Sequence, residues 1–228
     1  MTAITAITAQ NTVGVRGVYP LAPETIVEQV RAVAEDIGVD AVKIGMLGTI
    51  ETIEAVERAL ALVGDVPIVL DPVLVAESGA ILLEDDALES LRRRLLPRAR
   101  VVTPNLPEAR ALTGAESGDG EELARAVHAL GPRAVVITGG HRDEATDLFF
   151  DGVHFVELPG ERHPQGAAHG SGCTHSSALA VYLARGYEAA EAARRAKEVA
   201  AEAVRHGLRG IGAGAGPVDV FALEQGPA

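Results

Sequence analysis

The sequence predicts an α/β fold, with a mostly parallel central sheet covered by helices on both faces. Three observations carry this. Short runs dense in Val and Ile alternate along the chain with longer segments rich in Ala, Glu and Arg. The chain has 228 residues, and at about 150 residues per domain one domain spanning residues 1–228 is the expectation. Hydrophobic residues make up 47% but aromatics only 3%, so the core must be built from Val, Ile, Leu and Ala.

The elements follow in order. Ile4 to Thr8 reads as the opening strand. Pro23 to Ile37 reads as a helix, since Pro23 and Glu24 suit a first turn. Asp40 to Ile44 is a strand, Ile50 to Val63 a helix, and Val66 to Leu70 a buried strand. Asp85 to Leu96 is a helix that Pro97 ends. Arg100 to Thr103 is a strand, and Leu106 to Leu112 a short helix stopped by Gly114. The helix Glu121 to Leu130 precedes the strand Ala134 to Thr138. Leu148 to Phe150 and His154 to Leu158 flank Asp151-Gly152, a hairpin turn. Ser171 to Arg185 and Glu188 to His206 are helices, and Gly207 to Gly216 is a glycine-rich stretch.

Composition excludes several classes of function. Lys and Arg number 20 against 32 Asp and Glu, a net charge of −12. Without a large basic patch, such a chain repels nucleic acid and anionic membrane surfaces. The absence of Trp and scarcity of aromatics argue against a base-stacking platform. The single cysteine, Cys173, excludes an intrachain disulfide framework and a cysteine-rich zinc site, and fits a reducing, cytoplasmic setting. No apolar run reaches about 18 residues, so no transmembrane helix is expected. No basic region precedes Arg16, so the start is a poor signal peptide.

Open α/β sheets bind ligands at the carboxyl ends of their strands. There the sequence gathers Gln10 and Asn11, Gly45 and Met46, Asp71-Pro72, Pro104 and Asn105, and Gly139-Gly140-His141. The sharpest element is His169-Gly170-Ser171-Gly172-Cys173-Thr174, which leads straight into a helix. Gly170 and Gly172 allow close backbone approach, and the helix start offers free N–H groups and a positive dipole end to a phosphate. Cys173 lies in the first turn, where thiol pKa values tend to fall, and could take a proton from an attacking hydroxyl. The plain alternative is a glycine-padded turn with a buried cysteine. Asp71, Asn105 and Glu108 offer hard oxygen donors suited to Mg²⁺. Against this, Asn105 could simply cap a helix, with Glu108 as its capping-box partner. Gln10 could read an aminopyrimidine edge or merely tie down a turn. Met46 could wall an apolar ring pocket or pack in the core.

Taken together, these motifs resemble the hydroxymethylpyrimidine/phosphomethylpyrimidine kinase family of thiamine biosynthesis, within the ribokinase-like superfamily. The resemblance runs from about Thr2 to Val220. It is carried by Thr8-Ala9-Gln10-Asn11-Thr12, Lys43-Ile44-Gly45-Met46-Leu47, Asp71-Pro72-Val73 with Ser78-Gly79, and Thr103 to Ala109. It continues through Gly139-Gly140-His141, the Cys173 loop, and Gly212 to Asp219. Most ribokinase-like enzymes carry Asp where this chain has Cys173; a cysteine is typical of the pyrimidine kinases.

The resemblance implies a three-layer α/β/α kinase domain that phosphorylates 4-amino-5-hydroxymethyl-2-methylpyrimidine, then its monophosphate, with ATP and Mg²⁺. Cys173 would activate the substrate hydroxyl, with Gly170, Ser171 and Gly172 forming the anion hole. Gln10 and Met46 would hold the pyrimidine. Asn105, Glu108, Gly139, Gly140, Gly214 and Gly216 would bind the nucleotide, with Asp71, Asn105 and Glu108 around the metal. Relatives commonly form homodimers. The family's first strand and a Gly-Ser-Asp-x-x-Gly-Gly-Ala-Gly segment precede the equivalent of Met1, so the chain is expected to be N-terminally truncated relative to it. Thr138 replaces a common Lys. Pyridoxal kinase, or a catalytically impaired ligand-binding module, are the alternatives.

Overall fold

A computed structural model describes residues 1–75, 79, 82–139, 145–163 and 167–221. A hairpin of β1 (Ala6–Gln10) and β2 (Val15–Pro20) opens the chain. Then come α1 (Pro23–Asp36), β3 (Val42–Ile44), α2 (Ile50–Leu60), β4 (Ile68–Leu70) and α3 (Asp85–Arg94). They are followed by β5 (Val101–Val102), α4 (Leu106–Thr113), α5 (Gly120–His128) and β6 (Val135–Ile137). The last elements are β7 (Asp147–Phe150), β8 (Phe155–Leu158), α6 (Ser171–Ala184) and α7 (Ala189–Arg205).

Six strands form one sheet in the order β3-β4-β5-β6-β7-β8. The first four run parallel, and β7 and β8 are antiparallel. The predicted turn at Asp151-Gly152 joins that last pair, with Gly152 at φ 96° in the left-handed region. Side chains alternate between the two faces. Val69, Val101, Val136 and Phe149 point to a core shared with α6 and α7. Leu70, Val102, Val135, Ile137, Leu148 and Phe150 point to the opposite core, with α2, α3, α4 and α5. This double burial is why the strands read as continuous apolar runs. Each fully buried Val, Leu or Ile contributes about 1.5–3 kcal/mol of transfer free energy.

Local signals set the helix boundaries. The Thr49 side chain accepts from Thr52 N–H at the start of α2. Asn105 and Asp119 open α4 and α5 with full capping boxes, and Gly114 ends α4 at φ 72°. Pro97 turns the end of α3 into a 3₁₀ turn over Leu96–Arg98.

One expectation needs correcting. The opening strand does not join the parallel sheet; among the described residues β1 pairs only with β2, antiparallel, with a bulge at Ala9/Gln10. Its residues are half-buried or exposed, whereas β6 is buried throughout. A short alternating segment satisfies a two-stranded ribbon as well as a sheet. The partner β2 carries Gly17 and Pro20, which mute its strand signal.

Candidate functional site

Beyond the parallel strands, backbone bonds continue the sheet by a residue or two. Asp71 N–H donates to Ile44 O at 2.9 Å, Thr103 N–H to Leu70 O at 3.0 Å, and Thr138 N–H to Pro104 O at 2.9 Å. Asn105 and Thr138 form a further parallel bridge. Asp71, Asn105 and Gly139 therefore lie side by side along one edge, as the strand-end reading expects. Gly140, His141 and Ser78 lie outside the described residues.

Asp71 is buried. Its Oδ2 lies 3.0 Å from Ser176 Oγ on α6 and 3.5 Å from Lys43 Nζ on β3. Sequence reasoning gave neither partner a role, although Lys43 stands in one of the recognised motifs. Asn105 and Glu108 realise the capping box: Glu108 N–H donates to Asn105 Oδ1, and Asn105 N–H to Glu108 Oε2, both at 2.9 Å. Both residues thus have a structural task. Burial pushes the Glu108 carboxyl up to about 7, with the Asp71 charge adding to the rise and hydrogen bonds from Asn105 and Leu74 opposing it. The Asp71 charge disfavours a charge on Glu108 in this partly dry place, and a divalent cation held there would relieve that repulsion. Among the described residues, no three His, Cys, Asp or Glu side chains gather as a closed metal cage.

The Cys173 loop leads straight into α6. Gly170 caps α6 at φ 91°, a conformation that favours glycine. Ser171 N–H donates to Ala168 O and Thr174 N–H to Gly170 O, both at 2.9 Å. The N–H groups of Gly172 and Cys173 have no acceptor among the described residues. A Cβ added to Gly172 would meet nothing within 4 Å, so the space above that turn is open. Cys173 is exposed, which removes the buried-cysteine alternative. Ser176 also shares its hydrogen with Gly172 O at 2.9 Å, so one hydroxyl links this turn to Asp71.

The glycine-rich tail braces the loop. His169 N–H donates to Gly216 O at 3.2 Å, and Val218 N–H to His169 O at 3.0 Å. Packing alone requires both expected nucleotide glycines: a Cβ at Gly216 would fall 2.0 Å from Leu208 O, and one at Gly214 1.8 Å from Thr12 O. Gly214 N–H also donates to Thr12 Oγ1 at 3.3 Å, tying the tail to the β1–β2 turn. Met46 is half-buried after β3, and its carbonyl accepts from Thr5 Oγ1 at 2.8 Å. Gln10 is exposed at the far end of β1. At about 3.3 Å per residue it lies roughly 16 Å of strand beyond Thr5, so this contact does not bring Gln10 to Met46.

A second buried group was not foreseen. Asp147 Oδ1 accepts from Gly139 N–H and from Lys197 Nζ, both at 2.7 Å. His175 Nε2 lies 3.9 Å from Asp147 Oδ2. Burial pushes the His175 pKa down, more than the nearby Asp147 charge raises it. No local signal announces this cluster, because Asp147 and Lys197 are 50 residues apart.

Residues 1–219 match the family model described as phosphomethylpyrimidine kinase. The chain is 42% identical to the hydroxymethylpyrimidine/phosphomethylpyrimidine kinase of Bacillus subtilis, over 99% of this chain and 85% of that one. Among solved structures it is similar to a phosphomethylpyrimidine kinase from Clostridium difficile, with TM-score 0.77 and 40% identity over 90% of this chain and 86% of that one. It is also similar to the pyridoxal kinase of Staphylococcus aureus in complex with ADP, with TM-score 0.88 and 35% identity over 97% and 82% of the two chains.

Proposed function

The chain belongs to the phosphomethylpyrimidine kinase family and is a phosphotransferase of thiamine biosynthesis; from that premise we propose how its residues carry the reaction. The acceptors are 4-amino-5-hydroxymethyl-2-methylpyrimidine and then its monophosphate, and the donor is ATP. The observation that carries this reading is the pair of N–H groups at Gly172 and Cys173 that have no acceptor among the described residues, in open space beside an exposed thiol.

In the first step the substrate hydroxyl oxygen forms a bond to the γ-phosphorus, and the bond from that phosphorus to the β-phosphate oxygen breaks. Cys173 takes the hydroxyl proton. The N–H groups of Gly172 and Cys173, with Gly170 and Ser171 shaping the turn, stabilise the charge on the transferring phosphoryl. Asn105, Glu108 and Gly139 line the nucleotide side of the edge. Asp71 and Glu108 are the residues that would hold Mg²⁺, which when bound supplies charge neutralisation for the phosphates. Met46 packs on the aminopyrimidine ring, while Gln10, which the Thr5–Met46 contact does not bring to Met46, has its role in holding the ring tested by its own substitution. The chain acts as one kinase domain in the cytoplasm, where the Cys173 thiol stays reduced. Among the described residues no helix is long and apolar enough to cross a membrane.

A second acceptor is worth testing because solved pyridoxal kinases share the fold at TM-score 0.88. A coupled ADP-release assay with Mg²⁺ and hydroxymethylpyrimidine, its monophosphate or pyridoxal in parallel decides between them. Turnover with both pyrimidines is expected. Turnover with pyridoxal alone would reassign the acceptor, and ATP binding without turnover on any of the three would make the chain a ligand-binding module.

A further inference from the structure

We propose that Asp147 and Lys197 are positioning residues that clamp the Gly139 backbone amide and so set the nucleotide side of the site relative to the Cys173 helix. The proposal rests on the reading above that Gly139 faces the nucleotide.

Asp147 opens β7 and is 4% exposed. One of its oxygens, Oδ1, takes both the Gly139 N–H and the Lys197 ammonium at 2.7 Å. Lys197 reaches in from α7, and its stem is confined there: a Cβ on Gly160 would lie 2.5 Å from Lys197 Cε. Burying an ion pair is costly, and an apolar pair of the same size would often serve stability as well. What the apolar pair could not do is hold a backbone amide. The amide held, that of Gly139, lies two residues past β6, at the edge that carries Asn105.

The backbone at Gly139 has little slack. A Cβ at Gly139 would stand 1.9 Å from the Thr146 carbonyl oxygen, so the two backbones are already in contact beside Asp147. The preceding residue, Thr138, pairs with Asn105, so a displaced Gly139 is felt at α4. On its other side the carboxylate faces α6. His175, two residues past Cys173, is buried, its two ring nitrogens have no hydrogen-bond partner among the described residues, and its Nε2 is 3.9 Å from Asp147 Oδ2. One carboxylate therefore stands between the nucleotide turn and the helix that starts the anion hole.

The test compares Lys197→Met and Lys197→Arg with the wild type. Two readouts are taken on folded protein: amide exchange at Gly139, and KM for ATP against KM for hydroxymethylpyrimidine. Lys197→Met is expected to speed Gly139 exchange and raise the ATP KM, each about tenfold, while the pyrimidine KM stays within about twofold. Lys197→Arg is expected to restore both. Should Lys197→Met fail to fold, Lys197→Gln carries the same readouts. Unchanged Gly139 exchange overturns the clamp whatever the kinetics. Faster exchange with an unchanged ATP KM leaves the clamp standing as geometry but overturns its role at the nucleotide, and wild-type turnover with ATP shows separately whether the kinase reading holds.

Discussion

Asp71 Oδ2 meets Ser176 Oγ at 3.0 Å across 105 residues of sequence. The contact joins the exit of β4 to the second turn of α6. Ser176→Ala removes the hydroxyl and leaves Asp71 with Lys43 at 3.5 Å. Hydrogen bonds to charged groups contribute about 1.5–3 kcal/mol. Denaturant unfolding should show a loss in that range, with turnover falling as the Cys173 turn loses its tie. An unchanged unfolding midpoint would show that Lys43 alone holds Asp71.

Cys173→Ala should lower turnover about a hundredfold, the lower end of what a positioned proton acceptor contributes. Its ATP KM should stay close to the wild-type value, because the helix N–H groups remain. Steady-state kinetics at saturating pyrimidine decide this. Equal turnover in the two proteins would remove the thiol from the reaction.

Glu108 gives the stability a pH dependence of unusual sign. Its folded pKa of about 7 lies above its ordinary value of 4.5, so the folded chain binds this proton more tightly than the unfolded chain does. The contribution is fully present below the unfolded value and disappears as pH rises to about 7. A shift of that size corresponds to about 3 kcal/mol. Glu108→Gln keeps the shape of the capping box without the charge. Urea unfolding between pH 5 and pH 8 should therefore show a steeper stability loss in the wild type than in the variant, and parallel curves would place the Glu108 pKa near its ordinary value.

Gly214→Ala would drive a Cβ to 1.8 Å from the Thr12 carbonyl. Backbone on either side has to move, and the hairpin should come away from the tail. Limited proteolysis should cut between β1 and β2 faster than in the wild type, while cleavage at exposed loops elsewhere stays the same.

Gln10→Ala should raise the KM for the pyrimidine about tenfold, the value of one lost hydrogen bond of about 1.4 kcal/mol. The ATP KM should not follow. Selective loss of ATP affinity would move Gln10 to the other substrate.

What the sequence disclosed and what it hid divide along the range of the interactions. Helix starts and stops were legible because Pro23, Asn105 and Gly114 act on their own turns. The strand ends were legible because Asp71 and Asn105 interrupt apolar runs, and the Gly170–Cys173 loop because glycines precede a helix. The sheet partner of β1 was not, since alternation says which face a strand hides but not what lies beside it. The capping box left two readings of Asn105 and Glu108 open, and the geometry fulfils the structural one while Glu108 stays perturbed. Lys43, Ser176, Asp147 and Lys197 passed unassigned because each matters through a partner far along the chain. Lys197 shares its helix face with Ala193, Ala200 and Ala201, and only the fold shows that Asp147 lies beneath it.

The bond between Gly214 and Thr12 has a consequence for how the protein comes into being. The two residues are 202 positions apart. At translation rates of about 5–20 residues per second, roughly 10–40 s separate their emergence from the ribosome. Throughout that interval the β1–β2 ribbon lacks the segment it packs against. A two-stranded hairpin is at best marginal in water on its own. The β1–β2 ribbon is thus among the last elements to settle, and it waits on the glycine-rich stretch that also braces the Gly170–Cys173 turn.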